Sequence, residues 1–283
     1  MTPQYALAPW ADEPFKLIET LSQRAELATE KHSYVHVATE MVHVHNVLIR
    51  GINAIVQQAP YVKDSTQPSY KEKDVRDLLS YVSSWCKMVD HHHSTEESFI
   101  FPEIEKVCGK SMESPRQQHK EFHGGLESLL AYAEATKPRE YRWTGPAGMK
   151  EIIDSFSQSM IHHLYDEIGV LLTLKDVNSD ALRKAWDEGE RIATASGNIG
   201  LLVSATILHD THGRILREKQ YTVFPCVLGN ADKTYKGAET FPPLPKVLLY
   251  LVKYIFGARN GAWRFNPCDF WGQPRPLAFG PGQ

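Results

Sequence analysis

Four separate stretches of this 283-residue chain place histidine, in two of them with a glutamate one turn later, on the apolar stripe that a helix turns toward a core. In residues 73–105, Val75, Leu78, Val82, Trp85, Val89, His92, Glu96 and Phe99 follow at alternating steps of three and four, the seam of a helix packed among others. Residues 147–174 repeat the alternation with Ile153, Phe156, Met160, His163, Glu167, Val170 and Leu174. In residues 34–59 the seam is Met41, His45, Leu48, Ile52 and Ile55, and in residues 115–135 it is His119, His123, Leu126, Leu130 and Ala133. The same test rejects other histidines. His43 lies nearly opposite His45, and His162 falls in a polar row with Ser155, Ser159 and Asp166. His93 and Glu97 stand about 100° round the helix from the seam and read as a solvated pair.

Pro60 and residues 64–69, then Pro102 and Gly109, then Pro138, Gly145, Pro146 and Gly148 separate the stretches. Connections this short favour antiparallel neighbours, so the expected fold is all-α: an up-down-up-down four-helix bundle. A further helix is expected over residues 14–31. The chain divides into an N-terminal segment 1–33, a bundle 34–175 and a C-terminal extension 176–283 packed on it. In the extension 179–195 reads as a polar helix, 198–208 as a shorter apolar one, and 244–256 as a strongly apolar segment covering the bundle, with a membrane-surface or partner-binding helix as the alternative. The ending 263–279, rich in Trp, Phe, Pro and Gly, reads as an ordered wrap, and His209 and His212 as surface histidines.

Each inward residue alone has a bland explanation, such as a core histidine bonded to a carbonyl or an ion pair along a helix. Five imidazoles (His45, His92, His119, His123, His163) and two carboxylates (Glu96, Glu167) on four seams do not. Burying so many titratable groups requires compensation, and coordination to a pair of metal ions fits these residue types. If both carboxylates bridge, the imidazoles divide three and two, and one ion keeps an open position. Zinc favours closed tetrahedral sites richer in sulfur, and magnesium or calcium favours oxygen, so two iron ions are expected, with manganese or a mixed pair ranked below. Glu97, Asp166, Glu121, Tyr81 and Tyr165 are available to orient the imidazoles.

The segments H-N-V-L-I-R-G-I-N-A-I from His45, H-H-S-T-E-E-S-F-I-F-P from His92, H-K-E-F-H from His119 and H-L-Y-D-E-I from His163 resemble the four ligand-bearing helices of the hemerythrin-like, HHE cation-binding family. The resemblance spans about residues 34–174 and implies a non-haem di-iron centre held by the residues the seams select. Oxygen-carrying members use an aspartate five positions after the fourth-helix histidine. Here a glutamate stands at four, closer to the intracellular sensor and stress-response branches, and a register of His162 with Glu167 would restore five.

Composition removes other function classes. A net charge of −3 with no basic run gives no field for nucleic acid, and four scattered cysteines form neither a disulfide framework nor a zinc motif. The start lacks the basic and apolar regions of a secretory signal, and no apolar run is long enough to span a bilayer, so an intracellular, cytoplasmic location is expected. Two readings remain. One is a protein binding O₂, NO or peroxide at the open position. The other is an oxidase or oxygenase whose small organic substrate enters a pocket built by the extension, lined by aromatics such as Trp263 or Phe270. A site sealed by Leu48, Phe99 and Phe156 would favour the first.

Overall fold

Helix α1, Ser33–Gln58, is buried on nearly every side from Val37 to Ile55, and its polar residues explain how. Met41, His45, Leu48, Ile52 and Ile55 face the other long helices as their spacing requires. On the opposite side Asn46, Arg50, Asn53 and Gln58 are also buried, because other parts of the chain satisfy them with backbone groups. Asn46 accepts from the Ile18 amide at 2.8 Å and donates to its carbonyl at 2.9 Å. Asn53 accepts from the Phe15 amide at 3.0 Å and donates to the carbonyls of Ala11 and Phe15 at 2.9 and 2.7 Å. Arg50 donates to the Asp12 carboxylate and to the Asn230 carbonyl, and Gln58 to the Phe265 carbonyl.

These bonds correct one expectation. Among its described residues, the segment expected to be helical over 14–31 holds one helical element, the 3₁₀ turn Leu21–Gln23. A helical strap would spend its own amides and carbonyls internally, whereas Asn46 and Asn53 need them free. The computed structural model describes residues 10–281 except 25, 26, 28, 196–222, 243, 245 and 259. The expected apolar helix 198–208 and the histidines His209 and His212 therefore lie outside the described residues.

Helix α2, Glu72–Thr95, begins with Glu72 and Asp74, acids that complement the helix dipole. It runs into a π-helical turn, Glu96–Ile100, and then into α3, Phe101–Cys108, which ends at Gly109 with φ 64°, the left-handed conformation glycine supplies without strain. Helix α4 spans Glu113–Ala135, α5 spans Met149–Leu172 with a 3₁₀ extension Thr173–Asp176, and α6 spans Ser179–Ala195. Among the described residues the elements are all helical. Helix α4 packs on α5 and on α2, and α1 packs on α5 and on α2, closing a ring of neighbours, while α6 crosses α1, α3 and the π turn. No described helix is long and apolar enough to cross a membrane.

The later residues brace α1 and α2. The 3₁₀ turn Gly261–Phe265 packs on α2, where Phe265 stacks on Tyr81 and Arg264 pairs with Asp74 and Asp77. Segment 244–256 forms the helix Lys246–Leu251 and the π turn Val252–Phe256. Its inward residues Leu249 and Val252 meet Phe224 and Leu228 in a satellite cluster separate from the main core, contrary to the expectation that this segment covers the bundle.

One close approach sets the α1–α2 spacing. The Trp85 indole donates to the Leu48 carbonyl at 3.0 Å and lies where a Cβ on Gly51 would stand, 2.2 Å from its Cδ1. Gly51→Ala is expected to cost about 1–3 kcal/mol through overpacking. Gly124→Ala, in the middle of α4 with open space around it, should stabilise by about 1 kcal/mol through helix propensity. Urea denaturation of both variants checks the pair, and equal effects would contradict the packing.

Candidate metal centre

The π turn Glu96–Ile100 is where backbone and site chemistry meet. Pro102 in the first turn of α3 has no amide to give and its ring crowds the carbonyl four residues earlier, so the regular ladder cannot run through residue 98. The wider turn inserts one residue. Glu96 stays inward below His92 with both carboxylate oxygens buried, and the next fully inward residue is Ile100 rather than Phe99, which is only half-buried. Gly189 of α6 lies against this turn, where a Cβ would stand 3.1 Å from the Phe99 carbonyl oxygen.

Two groups of side chains converge. His93, Glu96, His119 and His163 offer ligand atoms within 4.8 Å of one another, and so do His45, His92 and Glu96, so Glu96 is common to both. Its Oε1 lies 3.1 Å from His92 Nε2 and its Oε2 3.6 Å from His119 Nε2. Glu167 Oε2 stands 3.4 Å from His45 Nε2 and 3.5 Å from His163 Nε2, spanning the same two groups. Two imidazoles are thus on one side of the carboxylates and three on the other.

Inside the protein these groups have no adequate partners. His45 Nε2, both nitrogens of His92 and His93, and all four carboxylate oxygens of Glu96 and Glu167 are buried without a hydrogen bond. Orphaned buried polar atoms are rare and each costs about 1–3 kcal/mol. Five side chains sharing the defect at one point, beside the Nε2 atoms of His119 and His163 that stand 3.1 Å apart, make a donor set for cations. The outer atoms of three imidazoles, by contrast, are anchored. His45 Nδ1 donates to the Leu164 carbonyl at 2.7 Å, His119 Nδ1 to Glu97 Oε1 at 2.7 Å, and His163 Nδ1 to Gln118 Oε1 at 3.2 Å. Gln118 in turn donates to Asp166 at 3.1 Å. With Nδ1 protonated, Nε2 of each ring keeps its lone pair for the interior. Tyr81 and Tyr165 serve elsewhere, on Asn230 and on the Lys16 carbonyl, and Glu121 is exposed.

Burial sets the electrostatics. It holds the His92, His93 and His163 imidazoles well below the ordinary histidine value, reinforced by neighbouring imidazoles. His119 is lowered by burial against the opposing charges of Glu167 and Glu97. Burial and then the nearby Glu167 and Glu97 push the Glu96 carboxyl well above its usual range. Neutral imidazoles are the ligand form, while carboxylates this dry need positive charge beside them.

Sequence spacing and geometry part at two residues. His123, expected inward, is half-exposed and pairs with Glu127 at 3.3 Å, outside both groups. The buried row of α4 is Pro115, His119, Phe122, Leu126, Leu129 and Ala133, so after His119 the stripe steps by three, and Phe122 occupies the inward place. His93, expected to be solvated, is 6% exposed and packs on His119 at 4.4 Å and Phe122 at 5.0 Å between ring centroids. Helix α2 has neighbours on two sides, and its buried arc is two rows wide: one row carries Trp85, Val89 and His92 and the other Leu79, Cys86 and His93. The heptad spacing of Leu79, Cys86 and His93 was the available signal for this second row. His162 is exposed and pairs with Asp166, so of the two candidate registers only His163 lies in the cluster. His43 is buried on the far side of α1, stacked on Phe241, with its imidazole pushed down to about 4 by burial.

Residues 36–174 match the family model described as the hemerythrin HHE cation-binding domain. Over 276 residues the chain is 35% identical to the dimeric xanthone biosynthesis cluster protein R11 of Cryptosporiopsis sp. (strain 8999), covering 96% of this chain and 94% of that protein. No solved structure matches significantly. With four helices bringing a shared carboxylate and two sets of imidazoles into one dry core, and with the family model covering those helices, the chain belongs to the hemerythrin HHE cation-binding family.

Proposed function

We propose that residues 34–175 form a four-helix bundle holding two iron ions, one by His45 and His92, the other by His93, His119 and His163, with Glu96 and Glu167 between them, and that the pair binds O₂ or a related small molecule such as NO or peroxide. The observation that carries this reading is the set of buried, unpartnered imidazole and carboxylate atoms shared between two adjacent groups. An iron pair supplies redox-linked binding of such molecules. The side with His45 and His92 offers fewer protein donors, which would leave room for an exogenous ligand there.

This chain's own residues do the rest. Leu164, Glu97 and Gln118 hold three imidazoles by their outer nitrogens, so each Nε2 faces inward without reorganisation. Phe122 and Phe101 cover the imidazoles, with Phe122 against His93, His119 and His163 and Phe101 stacked on His119. Glu97 is 42% exposed and bonded to His119 Nδ1, so a proton released there reaches solvent in one transfer. The turn bearing Trp263 packs on the first half of α2, beside Asp74, Asp77 and Tyr81. His92 lies eleven positions after Tyr81, about 16 Å of helix. This weakens the case for a substrate pocket lined by Trp263, whereas α6, the first part of the extension, packs on the π turn that carries Glu96.

A second reading has one observation of its own. The relative similar over almost the whole of both chains is named for a xanthone biosynthesis cluster, so an oxidative step on an aromatic metabolite remains the alternative function of the same centre. An optical spectrum of the iron-loaded protein with and without O₂, followed by turnover assays on phenolic substrates, separates the two. Reversible spectral change without turnover supports binding, whereas oxidation of a phenolic compound supports the enzyme.

Metal analysis tests the ligand set. The purified protein is expected to carry about two iron ions per chain. His93→Ala and His119→Ala should lower the iron content, and His123→Ala should leave it at the wild-type level. Loss in His123→Ala with retention in His93→Ala would restore the spacing-derived set.

Removal of the metal should expose the cost of burial. Unfolded imidazoles take up protons below about pH 6.5, and the four folded ones lowered by burial resist it. Stability of the chelated protein therefore falls as the pH drops from 7.5 to 5.5. Glu96, raised on folding, has the opposite sign, since its contribution is lost as the pH rises above about 4.5, but it is outnumbered. Denaturant titrations of chelated protein across this range check the slope, and a flat profile would count against a dry, metal-free cluster.

A further inference from the structure

The helix Lys246–Leu251 and the π turn after it are apolar on two opposite sides, and among the described residues only one side is covered. Leu249 and Val252 pack inward. On the outer side Val247 is 70% exposed, Tyr250 52%, Leu251 36%, Tyr254 61% and Ile255 50%. Their spacing of three, one, three and one is the helical stripe that ordinarily marks a buried face. Single exposed apolar residues mean little, but five on one continuous stripe mark an interaction surface.

The surroundings of the stripe identify what it meets. Lys246 and Lys253 flank it, and no Asp or Glu occurs between Glu239 and Asp269, although the whole chain has a net charge of −3. The aromatic rings and the ammonium stand together. Tyr250 stacks on Tyr254 at 6.2 Å and meets Trp271 edge-on at 5.1 Å, and Lys253 Nζ lies 5.4 Å from the Tyr254 ring and 5.2 Å from that of Trp271. Amphipathic rings, apolar branches and basic side chains at one level match the boundary between lipid headgroups and acyl chains. A two-fold contact with a second copy would instead set this lysine-bearing surface against itself with no carboxylate on the stripe to pair it.

We propose that this face of residues 246–255 docks the protein on an anionic lipid surface, lying in the plane of the interface. The segment is too short to cross it. Docking here leaves the helices that carry the histidines free of the contact, so the inference stands apart from the proposed chemistry.

Sedimentation of the metal-loaded full chain with vesicles of phosphatidylcholine alone, or with added phosphatidylserine, tests it. Binding is expected only with phosphatidylserine, weakening as salt is raised. Lys246→Gln/Lys253→Gln should weaken it about 25-fold, because each basic residue at such a surface contributes about 1 kcal/mol, a factor of about five. Val247→Ser/Tyr254→Ser should abolish binding while iron content and helical circular dichroism stay at wild-type values. The lysine variant keeps every apolar contact, so it reads the charge contribution even if the serine variant fails to fold. The proposal is overturned by absence of binding at both compositions. Binding that both variants leave unchanged also overturns it, as does a dimer that only Val247→Ser/Tyr254→Ser dissociates.

Discussion

Desolvation of titratable groups is the constraint on which this architecture turns. His45, His92, His93, His119, His163, Glu96 and Glu167 are each at most 6% exposed, and most of their inward atoms have no hydrogen-bond partner within the protein. A core with this content is unfavourable by itself and becomes favourable when cations replace the lost water. Proposed metal binding and folding are therefore one problem here. The anchored outer nitrogens of His45, His119 and His163 show the fold preparing the donors from behind.

The central helix is built by the same logic in reverse. The outer row of α1, with Asn46, Arg50 and Asn53, would suit a solvated face. It is buried instead, because the extended strap at residues 11–18 and the later segments give it backbone partners. The strap can do this only by forgoing a helix. Covering α1 on both sides encloses the His45 row: the later part of the extension completes the cover near Gln58 and Arg50, while α6 packs on α1 and on the π turn that carries Glu96.

Much of the main architecture was legible in the spacing of apolar residues. The four long helices begin and end within about two residues of where periodicity and breakers set them, apart from the π turn that divides the second. The inward rows of α1 and α5 are those expected, including His45, His163 and Glu167. The misread positions share a cause. A single seam describes a helix with one buried stripe, but α2 is buried along two rows, and on α4 the alternation of steps after His119 runs three before four. His93 and His123 exchanged places for that reason. The apolar stretch at 244–256 misled differently, since hydrophobicity says that a surface needs a partner without saying that the partner lies in the same chain.

The sequence by itself determined that histidines and glutamates ride on inward helical rows, because a period of 3.6 residues converts spacing into a face, and that the chain is helical with breakers at the right places. Only the tertiary structure decided which of two adjacent faces is inward on a helix with two neighbours, which nitrogens are anchored, and that Glu96 and Glu167 lie between two sets of imidazoles. Those facts depend on the angles and distances between helices. Such geometry is fixed by packing across the whole core, as by the 3.0 Å bond from Trp85 to Leu48 over Gly51, and no local stretch of residues encodes it.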